Sequence, residues 1–154
     1  YLPSGSAKEE RQQVKYECMD YLRPRLEEWA RSGRDWVICG DWNIAHRKID
    51  IKNWRGNLKN SGFLPEEREW METLLNWGLV DTYRQVNPDV NDQFSWFDYR
   101  SRGFEREPRR GLRIDLVLAT RPLAEKCRDS GIAYDIRAME KPSDHCPIWS
   151  DFSF

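Results

Sequence analysis

Asp41 and Asn43 stand two residues apart, immediately after the apolar run Trp36-Val37-Ile38-Cys39-Gly40. In extended chain, residues two apart point to the same side, so a carboxylate and an amide oxygen converge there. Hard oxygen donors of this kind suit Mg²⁺, or Mn²⁺ by the same chemistry. The same two residue types also form turns by bonding their own backbone, and that second reading stands beside the first. Ser143-Asp144-His145 precedes another apolar stretch. A histidine beside an aspartate at a strand start can act as general acid or base, or it can be a satisfied structural residue. His46, inside a basic loop, takes the structural reading. Asp115 lies in the alternating segment Arg113-Ile114-Asp115-Leu116-Val117-Leu118, on the face opposite Ile114, Leu116 and Leu118. If Asp41, Asn43, Asp115, Asp144 and His145 met, their carboxylates would need a cation, which implies metal-assisted chemistry on an anionic substrate.

These groups must be held by a framework, and the hydrophobic spacing predicts one. From Lys8 to about Ala30, Val14, Cys18, Tyr21, Leu22, Leu26 and Trp29 recur at helical steps. Pro24 lies inside the pattern and predicts a kink or break near Tyr21 to Arg23, and Gly33 is a plausible stop. Trp36 to Asp41 reads as a buried strand, and residues 44–63, with Gly56 and Gly62, as a long loop. Pro65 suits the first turn of a second helix with Trp70, Met71, Leu74 and Leu75 as its buried stripe and Gly78 as its stop. Strands are expected over Gln93 to Tyr99, Arg113 to Thr120, Tyr134 to Met139 and His145 to Phe154. No repeat or linker interrupts the pattern, and the order of elements suggests a layered α/β protein.

Composition narrows the class of function. A chain of 154 residues with a mean hydropathy of −0.87 has no stretch near the roughly 18 apolar residues that a spanning helix needs. Its 13% aromatic content excludes a disordered chain. Cys18, Cys39, Cys127 and Cys146 are far apart with no zinc-like spacing, which predicts buried, reduced thiols in a cytoplasmic protein. The net charge of −1 argues against a uniformly basic nucleic-acid binder, but the charges are unevenly placed. Residues 47–59 hold five basic side chains against Asp50, and residues 100–113 hold six arginines against Glu105 and Glu107, a local balance of +4 in each. Trp54, Phe63, Trp96, Phe97, Tyr99 and Phe104 lie in or beside these stretches. Either they are solvated loops, or they form a surface for a phosphate backbone with unstacked bases. With acidic strand ends between them, phosphodiester hydrolysis fits both features.

Four ordered blocks carry a resemblance: Gly40-Asp41-Trp42-Asn43, Phe94 to Arg100, Gly111-Leu112-Arg113-Ile114-Asp115, and Ser143-Asp144-His145. Together with Phe63 to Met71 and Trp77 to Thr82 they resemble exonuclease III, within the endonuclease/exonuclease/phosphatase superfamily. The resemblance implies a two-sheet α/β sandwich and a Mg²⁺-dependent enzyme that removes nucleotides from 3′ ends of duplex DNA and incises at abasic sites. It implies that Tyr1 contacts the scissile phosphate, and that Asp41 positions the attacking water or protonates the leaving group. Asn43 would orient the nucleophile, and Asp115 would orient His145 against the phosphate. Asp41, Asn43, Asp144 and His145 would form the metal set. Trp96, Leu112 and Ile114 would receive an extrahelical abasic sugar, with Arg100 and Arg113 contacting DNA.

The resemblance is to the carboxy-terminal half of that domain, so the chain is expected to lack the first half and, alone, to bind Mg²⁺ weakly and cleave poorly. The expected partners are duplex DNA with 3′ ends, nicks or abasic sites, and the expected state is a monomer. Two further classes share parts of the pattern: a catalytically silent RNA-binding regulator of the same fold, and a phosphatase acting on small phosphoesters. Retention of the acidic groups and His145 argues against the first, and the arginine-rich loop with Trp96 favours DNA over both.

Overall fold

In the computed structural model, which describes residues 1–6 and 8–154, a long helix α1 (Glu9–Arg31) leads into strand β1 (Val37–Asp41). Helix α2 (Pro65–Asn76), β2 (Leu79–Asp81), α3 (Thr82–Val86) and β3 (Asp115–Thr120) follow. The chain closes with α4 (Arg121–Ala124), β4 (Cys127–Ile132), α5 (Tyr134–Arg137) and β5 (Ile148–Phe152). Short 3₁₀ turns at Lys48–Asp50 and Trp54–Asn57 punctuate the segment between β1 and α2, where the sequence pattern predicts only loop.

Two antiparallel sheets form an α/β arrangement as expected: β1-β3-β2 and β4-β5. β3 is the central strand of the first, and its Leu116, Leu118 and Ala119 are almost wholly buried. Helices α1 and α2 supply Met19, Leu26, Trp70, Met71 and Leu74 to the same core cluster as Leu116 and Leu118. Each fully buried leucine of this kind contributes roughly 1.5–3 kcal/mol of transfer free energy. The second sheet is tied to the first through Thr82, whose hydroxyl donates to the Val117 carbonyl and lies 2.7 Å from the Ser150 hydroxyl.

Helix α2 starts where the sequence places it. Pro65 occupies the first turn, and the Glu67 carboxylate reaches back to accept from the Leu64 amide at 3.1 Å. Gly78, at φ +109, closes it. Helix α1, in contrast, runs unbroken through Pro24, against the expected interruption. Its buried face also differs: Lys15, Met19 and Leu26 are inside, while Val14 and Tyr21 are exposed. Gln93 to Tyr99 is not a continuous strand but is held by isolated bridges of Trp96 to Leu112 and to His145. Tyr134 to Met139 is the helical turn α5 followed by turn, with Tyr134 packed edge-on against Phe97 and Phe104. All four cysteines are free, but only Cys146 is buried, and Cys39 is exposed.

A buried ion network underlies β3. Arg113 is 1% exposed, donates to Asp50 at 2.8 Å and to Asp81 at 3.1 Å, and stacks over Tyr83. Arg84 completes it on the other side of Asp50. This corrects the expectation that Arg113 contacts substrate: its guanidinium is consumed by two carboxylates inside the fold.

Candidate active site

Strand β1 delivers Asp41 at its end, directly opposite Asp115, the first residue of β3. Beyond Asp41 the chain turns sharply. Asn43 adopts φ +49, a left-handed conformation that asparagine tolerates well, and its amide donates to Asp41 Oδ1 at 2.8 Å. The turn reading of Asp41 and Asn43 therefore applies. The turn brings the side chains together: Asn43 Nδ2 donates to the Leu2 carbonyl at 2.6 Å and to Asp41 Oδ2 at 3.1 Å. The Asn43 Oδ1 takes no hydrogen bond among the described residues.

His145 arrives from the segment before β5. Its Nδ1 lies 2.8 Å from Asp115 Oδ2, and its Nε2 lies 3.8 Å from Asp41 Oδ2. An ionised carboxylate only accepts, so Nδ1 carries the proton and donates to Asp115. Placement of the two depends on Ser95, fully buried, whose hydroxyl accepts from the amides of Ile114 and Asp115 at 2.9 Å each. The carbonyl of Ser95 accepts from the Cys146 amide at 2.7 Å. Ser95 thus pins the start of β3 to the residue following His145. Its only sequence signal is a small polar residue inside the aromatic run Phe94 to Phe97.

Asp41, Asp115 and His145 each offer a ligand atom within 4.8 Å of the others. Two carboxylates, an imidazole and a spare amide oxygen form a donor set that suits a hard divalent cation. Asp144, predicted as a ligand, stands outside this trio: its Oδ2 accepts from the Trp96 indole at 3.0 Å. Burial raises the Asp41 pKa, the Asn43 amide works against this, and the Asp115 charge adds to the rise. The hydrogen bond to Asp115 raises the His145 pKa, burial opposes it, and the Asp115 and Asp41 charges reinforce it. The pair therefore favours a protonated carboxyl or an imidazolium beyond their ordinary ranges.

Asp41, Asn43 and His145 open into a cleft of about 820 Å³, lined also by Tyr1, Trp96, Leu112 and Ile114. Tyr1 is 86% exposed there. Lys59, Asn57 and Asn60 from the basic segment reach the same rim. Arg100 is exposed but does not line the cleft. His46, read as structural, is buried with its Nε2 against Glu72 at 2.5 Å.

Residues 7–145 match the Endonuclease/Exonuclease/phosphatase family. The chain belongs to that family. Among curated relatives it is 47% identical over 163 residues to exodeoxyribonuclease III of Haemophilus influenzae, an alignment covering 99% of this chain and 59% of that protein. It is 40% identical over 112 residues to the DNA repair nuclease APEX1 of Danio rerio, covering 73% of this chain and 34% of the relative. Among solved structures, the 3′ phosphatase NExo from Neisseria bound to a product DNA hairpin superposes with a TM-score of 0.92 at 30% identity. That match covers 100% of this chain and 59% of NExo. An AP endonuclease from Archaeoglobus fulgidus gives 0.91 at 31%, covering 100% and 60%. The chain therefore spans 34% to 60% of the length of these family members. Among its described residues, no helix is long and apolar enough to cross a membrane.

Proposed function

We propose that this family member carries the acid–base and phosphate-contacting half of a Mg²⁺-dependent DNA repair nuclease, with Mn²⁺ as an alternative ion. It would trim duplex DNA from 3′ ends and nicks and incise at abasic sites. The observation that carries this reading is the convergence of Asp41, Asn43 and His145 in one cleft walled by Trp96, Leu112 and Ile114, with Asp115 holding His145 from outside the cleft lining. The similar proteins, nucleases and a DNA-bound 3′ phosphatase, support DNA as the substrate class.

The geometry supports the following roles. Asp115 holds the imidazole of His145 through Nδ1, which turns Nε2 toward Asp41 and the cleft. An imidazolium there would contact a phosphate oxygen and stabilise the charge that develops on it. Asp41, its carboxyl poised above the ordinary range by burial, is suited to move a proton between the attacking water and the leaving oxygen. Asn43, locked by two donated hydrogen bonds, would orient the nucleophile, and Tyr1 at the open rim would meet the scissile phosphate. A divalent cation held by Asp41, Asn43 and neighbouring donors would supply charge neutralisation at the phosphate. The flat indole of Trp96, fixed by its bond to Asp144, with Leu112 and Ile114 offers an apolar wall for an extrahelical sugar. By the same reading the chain supplies the carboxy-terminal part of one nuclease domain and works as a monomer in the cytoplasm.

The test is cleavage of a nicked duplex, an abasic duplex and a 3′-phosphate-ended duplex with and without Mg²⁺. It is run on the chain alone and on the chain extended at its amino terminus with the preceding part of an exonuclease III. Asp41→Ala is expected to lower kcat by about 10²–10⁴ with the fold intact. Cleavage of a small phosphoester but of none of the duplexes would sink the DNA reading. Near-normal turnover in Asp41→Ala would remove Asp41 from the chemistry.

A further inference from the structure

Helix α1 carries a charged residue where a core residue is expected. Lys15 is fully buried, as is its ion-pair partner Glu67 on α2. Two ions taken out of water cost several kcal/mol each, which their attraction barely offsets, so an apolar pair would serve this helix contact at least as well for stability. What an apolar pair would not provide is the set of backbone bonds that these two side chains make. The Lys15 ammonium donates to the Asn43 carbonyl at 2.6 Å. Glu67 Oε1 accepts from the amides of Gly62 at 2.8 Å and Leu64 at 3.1 Å. All three backbone groups belong to residues that line the cleft.

Two of those residues also sit at positive φ where no helix or strand ladder holds the backbone. Asn43 is at φ +49 and Gly62 at φ +94, outside any strand or helix. The two segments touch: Ala45 donates to the Gly62 carbonyl at 2.8 Å, and a methyl placed on Gly62 would lie 3.4 Å from the Asn43 carbonyl oxygen. Lys15 thus grips one side of a paired turn and Glu67 the other.

We propose that the Lys15–Glu67 pair is a positioning device that fixes the left-handed Asn43 turn and the Gly62–Leu64 wall, and so acts on the reaction through Asn43 and Asp41. This rests on the nuclease reading above, and it adds two residues that touch neither substrate nor ion. The Asn43 amide, bonded to Asp41 Oδ1, reports whether the turn is held.

The experiment compares the parent with Lys15→Met/Glu67→Gln and with Lys15→Arg, reading kcat, KM, melting and amide hydrogen exchange at Asn43 and Gly62. The double variant removes the buried charges, while the introduced glutamine side chain retains an acceptor for the two amides. Misplacement of a reacting group by about 1 Å can cost 10²-fold, so its kcat is expected to fall by about 10–100-fold while KM stays within about threefold. Exchange at Asn43 and Gly62 is expected to quicken locally, without a matching change at β3 amides. Lys15→Arg, which keeps a cation at this position, is expected to retain most of kcat. Unchanged kcat together with unchanged local exchange overturns the proposal, as does a loss that follows global melting alone. Lys15→Gln/Glu67→Gln, a neutral pair that still hydrogen-bonds, gives the same split in smaller measure and decides the matter if the first double variant does not fold. If the parent cleaves no duplex, the nuclease reading fails separately, and the exchange at Asn43 and Gly62 still decides whether the pair holds the turn.

Discussion

Arg113→Met is predicted to destabilise the chain by about 3–5 kcal/mol at neutral pH, the range for removing one partner from a buried ion pair. The structure places the side chain at the upper part of that range, because it serves two carboxylates at once. Asp50 accepts from its Nε at 2.8 Å, and Asp81 accepts from its terminal nitrogens. After the substitution Arg84 remains beside Asp50, but Asp81 loses its guanidinium. Against a total stability of about 5–15 kcal/mol, and about 2–4 °C of melting temperature per kcal/mol in a domain of this size, the expected drop is roughly 6–20 °C. The pH dependence gives a sharper signature. Burial works against ionisation of Asp50, but Arg113 and then Arg84 outweigh it and hold the carboxyl below its usual range. A lowered folded-state pKa contributes stability that is present above the unfolded value of about 3.9 and lost as pH falls through the folded value. In the variant Asp50 keeps only Arg84 against burial, its carboxyl pKa rises, and the penalty shrinks as it takes up a proton. The gap between parent and variant should therefore be wide at pH 7 and narrow as pH falls below about 3.9. Urea unfolding at pH 7 and at about pH 3, with unchanged slope, measures it. A loss below about 1 kcal/mol, or a gap equal at both pH values, would refute the assignment of Arg113 to the fold rather than to substrate.

Two further outcomes follow from the site. The hydrogen bond to Asp115 raises the His145 pKa against the effect of burial, so its NMR titration midpoint should lie above the usual 6.5 and should fall in Asp115→Asn; an unmoved midpoint would break the pairing. Since a raised pKa stabilises the fold below the unfolded value and loses that contribution as pH rises through the folded one, Asp115→Asn should cost more stability at pH 5.5 than at pH 9. Gly111→Ala would place a methyl 2.5 Å from the Trp96 carbonyl and 2.8 Å from Phe94 and Phe97. Overpacking of this kind costs about 1–3 kcal/mol, so thermal unfolding should show a clear loss, and a variant that melts with the parent would contradict the packing at this bridge.

What was legible in the sequence divides by range. Asp41 and Asn43 could be placed together because the relation is local, although the left-handed turn at Asn43 and not extended strand geometry joins them. The Asp115–His145 contact joins residues 30 apart, and only the resemblance to a known family pointed to it. Arg113 misled for the same reason: alternation put it on the face of Asp115, while its partners lie 63 and 32 residues away. On α1 a hydropathy stripe passes over a buried lysine, so it favours a face one position off, toward Val14 instead of Lys15. Tyr134, Ile136 and Met139 imitate a strand, yet Ile136 and Met139 are exposed. Tyr134 turns into an aromatic cluster whose other members are in the Phe94 to Phe104 segment, and its hydroxyl accepts from the Phe94 amide. Such four-residue helices have too little length to impose a period.

The register that sets Asp41 opposite Asp115 also has a thermodynamic face. Like charges directly across a strand pair weaken the sheet, so the first sheet is least comfortable where it meets the cleft. A divalent cation bound there at about a hundred times its dissociation constant would add about 2.7 kcal/mol to the folded state. Heat tolerance then becomes a reporter of ion occupancy, and a chelator would lower the melting point of this chain as well as quench any catalysis.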